Sequence, residues 1–202
     1  MHPDKIFQYG DYLMNQYKIL KKQNFSFHNY KLVPIREEDI QLIKNWRNDQ
    51  MDILRQEEPI TTEQQFNYYN QVIKKSFSDE KPTLMLFSFI HNDSCIGYGG
   101  LTNIDWNTEN AELSFLVDTD RTSDPKMYEN DFTSFLHLIF ELTFNELNFT
   151  RIFTETYDVR PIHVSILEKN RFRLEKRLKQ HKRIHDTLVD VLVHSCVKNV
   201  KS

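Results

Sequence analysis

The chain has 202 residues, 39% of them hydrophobic and 13% aromatic, and carries a formal net charge of −3. That length suits one domain with a sizeable core, the apolar content excludes intrinsic disorder, and the faint acidity gives no electrostatic ground for nucleic acid as the main partner. Two cysteines exclude a disulfide framework, no Cys/His cluster has zinc spacing, and four glycines leave neither a dinucleotide-binding fingerprint nor a P-loop.

Residues 11–22 place Leu13, Tyr17 and Leu20 four and three apart, the spacing of an amphipathic helix. This helix is expected to form an N-terminal extension, residues 1–28, ahead of a main domain over 29–202. Residues 1–12 lack the apolar run of a secretory signal, and the most apolar segment, 84–90, is too short to span a bilayer. A cytoplasmic protein with no membrane partner is therefore expected.

Residues 30–35 read as a strand. Glu37, Glu38 and Asp39 then favour the first turn of a helix whose apolar face is Ile40, Ile43 and Trp46. A second helix is expected from Thr61–Thr62, with Thr62 and Gln65 as a capping box and Phe66, Tyr69, Val72 and Ile73 buried. Residues 83–90 are apolar on both faces, as in a central strand. Turn residues at 91–94 lead into a strand over 95–105, where Gly97, Gly99 and Gly100 suggest a bulge or close ligand approach. A further turn leads to a strand over 111–118.

A long helix follows, capped by Asp124 with Pro125 in its first turn, and Phe132, Phe135, Leu136, Ile139 and Leu142 mark its buried face. Then come a strand at 151–157, a helix from Pro161 to 169, a strand at 172–178 and a strand at 188–196 that closes the sheet. Residues 169–183 are rich in Lys and Arg but interrupted by acids, and read mainly as a solvated strand and turn. The order implies a mixed α/β fold: a central sheet of about seven strands flanked by helices, plus the extra N-terminal helix.

Five segments in this order carry a family resemblance. They are Lys31-Leu-Val-Pro-Ile-Arg-Glu-Glu-Asp39 running to Trp46-Arg-Asn-Asp49, Cys95-Ile-Gly-Tyr-Gly-Gly-Leu-Thr-Asn-Ile-Asp105, Ala111-Glu-Leu-Ser-Phe-Leu-Val117, Phe144-Asn-Glu-Leu-Asn-Phe-Thr-Arg151, and Leu167-Glu-Lys169 with Phe172, Glu175, Arg177 and Leu178. Together they resemble the GNAT superfamily of N-acetyltransferases, in the branch of ribosomal-protein N-terminal and amino-sugar acetyltransferases, and the resemblance covers about residues 30–198.

It implies transfer of an acetyl group from acetyl-CoA, the expected cofactor, to a primary amine, with no metal. By resemblance, the backbone of Phe115, Leu116 and Val117 faces the pantetheine arm and thioester. Glu112 is the candidate general base, with Asp118 and Glu155 as weaker candidates, and Tyr157 is a second catalytic candidate. The family's glycine-bearing pyrophosphate loop aligns with residues 127–133, where Tyr128, Asn130 and Phe132 replace glycines. Arg121 and Thr133 are the remaining candidates to contact a displaced pyrophosphate. The family's thiolate-protonating Tyr aligns with Leu167, leaving His163 as the candidate stand-in beside the cofactor. Trp46, Arg47, Asn48 and Arg55 lie where this branch shapes its acceptor pocket, and an arginine pair suits a nucleotide-sugar diphosphate. The implied partner is a small-molecule amine, with an amino-sugar nucleotide as first candidate and a homodimer left open. Two alternatives stand beside it: acetylation of a protein N-terminus, and a catalytically degenerate GNAT-like binding or assembly module.

Overall fold

The computed structural model of the protein describes residues 15–199. Its eight strands form one mixed sheet in the order β1-β2-β3-β4-β5-β6-β8-β7. They are β1 (Phe25–Phe27), β2 (Tyr30–Pro34), β3 (Met85–His91), β4 (Ser94–Asp105), β5 (Asn110–Val117), β6 (Arg151–Tyr157), β7 (Arg173–Ile184) and β8 (Thr187–Val197). Every neighbouring pair is antiparallel except β5 and β6. The antiparallel links come from short turns. Asn92 and Asp93 join β3 to β4 with φ of 47° and 63°, the left-handed pair that matches the twist of a two-residue hairpin. The parallel link needs a crossover, and a long helix provides it.

The helices are α1 (Ile40–Asp49), α2 (Thr62–Tyr68), α3 (Lys74–Ser78), α4 (Pro125–Phe140) and α5 (Pro161–Lys169). A π-helical stretch, Tyr69–Ile73, joins α2 to α3, and a second one, Glu141–Glu146, extends α4. Asp124 caps α4 through the N–H groups of Lys126 and Met127, with Pro125 in the first turn as expected. The core joins β3, β4 and β5 to α4 through Phe87, Phe89, Phe132, Phe135 and Ile139, all fully buried.

Several expectations are corrected. Residues 11–14 of the expected N-terminal helix lie outside the described residues, and residues 15–22 form no helix but a turn and irregular chain. Tyr17 and Leu20 are buried in the core nonetheless, and Tyr17 Oη exchanges hydrogen bonds with the backbone of Leu86 in β3. A backbone partner for the tyrosine hydroxyl replaces the helical hydrogen bonds that the spacing suggested. The capping box is one residue earlier, at Thr61 and Gln64. The π stretch widens the turn, so Gln65, Tyr69, Ile73 and Phe77 recur every four residues and Val72 is exposed. β8 does not close the sheet: β7 runs on to Ile184 and forms its edge.

Gly99 and Gly100 serve backbone packing. A Cβ on Gly100, at φ +148°, would meet the Met85 carbonyl oxygen at 2.0 Å, and one on Gly99 would meet Ser114 O at 2.3 Å and the Phe135 ring at 2.6 Å. The third strand of the meander thus lies closer to its neighbours than any side chain permits.

Candidate active site

The parallel pair β5–β6 is joined over only three residue pairs, Asn110↔Arg151, Ala111↔Ile152 and Glu112↔Phe153. Beyond them the strands diverge, because β6 continues along β8 while β5 continues along β4. The β6-facing edge of residues 113–117 is therefore left without a ladder partner, and unpaired strand edges offer ordered N–H and C=O groups to a ligand. Gln50 Nε2 covers one of these groups, donating to Val117 O at 2.8 Å. A cavity of about 260 Å³ fills the divergence, lined on β5 by residues 112–115 and on β6 by residues 154–157. A second cavity of about 380 Å³, between the starts of α4 and α5, shares Ile53, Arg160 and His163 with the first. The two together make an elongated cleft.

One end of the cleft is ionic. Glu112 is 7% exposed. Arg55 Nη2 donates to Glu112 Oε1 at 2.6 Å and to Glu155 Oε2 at 2.8 Å, bridging two carboxylates on adjacent strands. Asn103 Nδ2 donates to Glu112 Oε2 at 2.6 Å. Asn103 can do so because its φ of 46° falls within the register shift of β4 between Thr102 and Asp105, and Asn tolerates the left-handed region. Tyr157, at the end of β6, lines the cleft and also a neighbouring cavity under the loop before α2 that contains Asp52 and Glu57. Charge-assisted hydrogen bonds of this kind are short and about twice as strong as neutral ones, so the Glu112 carboxylate is firmly oriented.

The other end is aromatic. Phe115 stacks on Phe132 with ring centroids 4.6 Å apart, and Phe132 stacks on His163 at 4.3 Å. Tyr128 Oη lies 2.8 Å from His163 Nδ1 and accepts a hydrogen bond from Arg160 Nη2 at 2.7 Å. Burial, reinforced by Arg160 and His194, holds the His163 pKa well below the ordinary histidine value of 6.5, so the ring is neutral at pH 7. Burial also raises the Tyr128 phenol, with Arg160 opposing.

The sequence-derived candidates divide between these surroundings. Glu112, Phe115, Tyr157, His163, Arg47 and Arg55 line the cleft, with Leu116 and Val117 continuing the same strand. Trp46 is in the core. Arg47 donates to Tyr98 Oη at 2.7 Å and to Gln56 Oε1 at 3.2 Å. Asn48 ties down the loop before α2, donating to Ile60 O and accepting from Ile60 N and Gln56 Nε2. Arg121 donates twice to Asp131, a fully buried carboxylate that also accepts from Tyr30. Thr133 Oγ1 accepts from Asn170. Asp118 caps the short 3-10 turn after β5.

Sequence reasoning did not bring in Asn103, nor Tyr128 and Arg160 as active partners of His163. An Asn inside a glycine-bearing strand is a weak local signal for a bulge. Tyr128 lies on α4 and Arg160 just before α5, 32 residues apart, and no spacing rule links them.

A family model described as "Acetyltransferase (GNAT) domain" matches residues 32–193. The fold is similar to that of Vibrio cholerae spermidine N-acetyltransferase solved with CoA and spermine, with a TM-score of 0.71 at 19% identity, covering 85% of this chain and 96% of that one. It is also similar to a dodecameric structure of the V. cholerae spermidine enzyme, with a TM-score of 0.68 at 18% identity, covering 85% of this chain and 95% of the other. No curated protein sequence matches the chain.

Proposed function

The chain belongs to the GNAT acetyltransferase family and is an acetyl-CoA-dependent N-acetyltransferase; from that premise we propose that its acceptor is a small, cationic primary amine received between Glu112 and Glu155. One observation carries this reading: a single cationic nitrogen, Arg55 Nη2, bridges the two carboxylates at 2.6 and 2.8 Å. An ammonium group has the same charge and donor character. The Arg55 side chain is 56% exposed, so it can withdraw toward solvent as the acceptor enters. Glu112, held on its other oxygen by Asn103, then takes the proton that the amine must lose before it attacks, directly or through water. Tyr157 closes the acceptor side of the cleft.

Bound acetyl-CoA supplies the acetyl group as a thioester. The free edge of residues 113–117 suits its extended arm, and the adjoining cavity toward Arg160 continues the cleft in the direction of its phosphates. The α4 N-terminus is less suited to phosphate, because the Asp124 carboxylate already accepts from Lys126 and Met127. Arg160, which commits only Nη2 to Tyr128 and keeps its other N–H groups, and the start of α5 are the groups in place to hold the diphosphate.

The amino-sugar nucleotide suggested by the sequence branch needs free guanidinium groups for its own diphosphate. Arg47 is engaged with Tyr98 and Gln56, and the carboxylates of Glu112 and Glu155 would face any diphosphate held by Arg55, which favours an acceptor without phosphate. The spermine held by the similar V. cholerae structure is an amine of this cationic class.

The test is release of free CoA thiol with a polyamine, a neutral amino sugar, an amino-sugar nucleotide and a peptide N-terminus as acceptors. The polyamine is expected to turn over fastest, and Glu155→Gln to raise its KM about tenfold by loss of one charged contact. Preference for the amino-sugar nucleotide or the peptide would replace this reading with those acceptors. Absence of any acetyl-CoA-dependent thermal stabilisation would favour a degenerate binding module.

A further inference from the structure

Leu167 occupies the position where the family resemblance places a thiolate-protonating tyrosine, and it is fully buried and cannot donate a proton. The cleft nevertheless has a donor. His163 lies on the first turn of α5 with only 5% of its surface exposed, and it lines both cavities of the cleft. Its ring is held flat against Phe132 at 4.3 Å with an interplanar angle of 12°. The plane in which its two nitrogens point is thereby set.

The proton positions follow from the partners. Arg160 can only donate, so Tyr128 Oη accepts from it at 2.7 Å. The hydroxyl keeps one proton, and the one other side-chain partner it has among the described residues is His163 Nδ1, at 2.8 Å. Nδ1 is therefore the acceptor, and in a neutral imidazole the remaining proton is on Nε2. Nε2 has no protein hydrogen-bond partner among the described residues, yet it is not among the side-chain atoms that are both unpartnered and sealed from solvent. It is a loaded donor open to the cleft.

We propose that His163 is the catalytic acid of acetyl transfer, giving its Nε2 proton to the departing sulfur, and that Tyr128 and Arg160 are positioning residues that set its tautomer and keep the ring neutral by supplying a proton to Nδ1. His163 releases the Nε2 proton as the carbon–sulfur bond breaks and the sulfur keeps the bonding electron pair, so that an S–H bond forms. Nδ1 takes the Tyr128 Oη proton in the same motion, which leaves the ring neutral with the opposite tautomer. The resulting phenolate faces the Arg160 guanidinium; between turnovers Nδ1 gives its proton back to the phenolate as solvent supplies one to Nε2, which restores the starting tautomer. The inference rests on acetyl transfer itself and is independent of which amine is the acceptor.

The neutrality this requires agrees with the surroundings. The groups that act on the His163 ring are the Tyr128 phenol on α4, the Arg160 guanidinium at the start of α5, and His194 on β8, while Glu112, Glu155, Asp49 and Asp52 line the same cavities without a hydrogen bond to it.

Two measurements test the proposal. In the ligand-free protein, side-chain nitrogen NMR is expected to show His163 as the Nε2–H tautomer at pH 7, and a mixture of tautomers in Tyr128→Phe. A wild-type Nδ1–H tautomer or an imidazolium would overturn the assignment, whether or not any variant folds. In steady-state kinetics His163→Gln is expected to lower kcat about 100-fold, and Tyr128→Phe about tenfold, with KM for acetyl-CoA changed less than about threefold. A wild-type kcat in His163→Gln would sink the acid role. A Tyr128→Phe effect confined to KM would reduce Tyr128 to a packing residue.

Discussion

The starts of α4 and α5 face the same cleft but are built in opposite ways. Both begin with a proline, Pro125 and Pro161, but at α4 the next free N–H groups are taken internally: Asp124 accepts from Lys126 and Met127, and Arg121 is bound to buried Asp131 nearby. At α5 no side chain caps the helix, Arg160 occupies the N-cap position, and the first turn presents His163 to both cavities. One terminus is closed by carboxylates, and the other is left to a guanidinium and a neutral imidazole. The lesson is that phosphate affinity at a helix start depends on which groups already satisfy its amides, as well as on the dipole.

The largest expected effect comes from breaking the closed side. Arg121→Ala leaves the Asp131 carboxylate buried with only Tyr30 as partner, and is expected to cost about 3 kcal/mol in urea unfolding. If the α4 terminus is purely structural, its acetyl-CoA affinity, measured by calorimetry well below the unfolding midpoint, stays within a factor of two. A weakening of tenfold or more would return Arg121 to the phosphate site.

The open side should respond in ligand affinity instead. Arg160→Gln is expected to raise the Kd for acetyl-CoA about tenfold, or about 1.4 kcal/mol. Asp124→Ala should cost about 1 kcal/mol of stability by loss of the cap, without weakening acetyl-CoA. Were the two variants to exchange these phenotypes, the contrast between the helices would be the reverse of the one described.

Acid sensitivity separates the two termini more finely. The His163 pKa lies below its unfolded value near 6.5, so between the two values the unfolded chain binds a proton that the folded chain refuses. Stability is therefore fully present above pH 6.5 and declines as the pH falls, by about 1 kcal/mol over the first unit for this one group. His163→Gln should remove that part of the slope, which comparing urea midpoints at the two pH values would reveal. An unchanged slope would mean that His163 titrates normally.

Much of the fold was legible because it depends on local rules. The apolar run through Phe87 and Phe89 marked a central strand, the Asn92–Asp93 pair marked a hairpin, and Asp124 with Pro125 marked the start of α4. Where a local rule met a tertiary demand, the tertiary demand prevailed. Tyr17 has helical spacing, but its hydroxyl pairs with the backbone of β3 and the surrounding chain is not helical. Val72 has the right period for burial, but a π turn moves it to the surface.

For the site the division is sharper. The sequence by itself placed Glu112 and Phe115 on one strand and His163 at the start of a helix, since strand alternation and a first-turn proline are short-range signals. It also carried the departures at Tyr128 and Leu167. Only the tertiary structure decided what these residues do. The divergence of β5 from β6 follows from strand order, the Glu112–Arg55–Glu155 bridge spans three separate segments, and the Arg160–Tyr128–His163 chain joins two helices. A hydrogen bond depends on distances of a few tenths of an ångström between groups far apart in the chain, and no one-dimensional pattern records them.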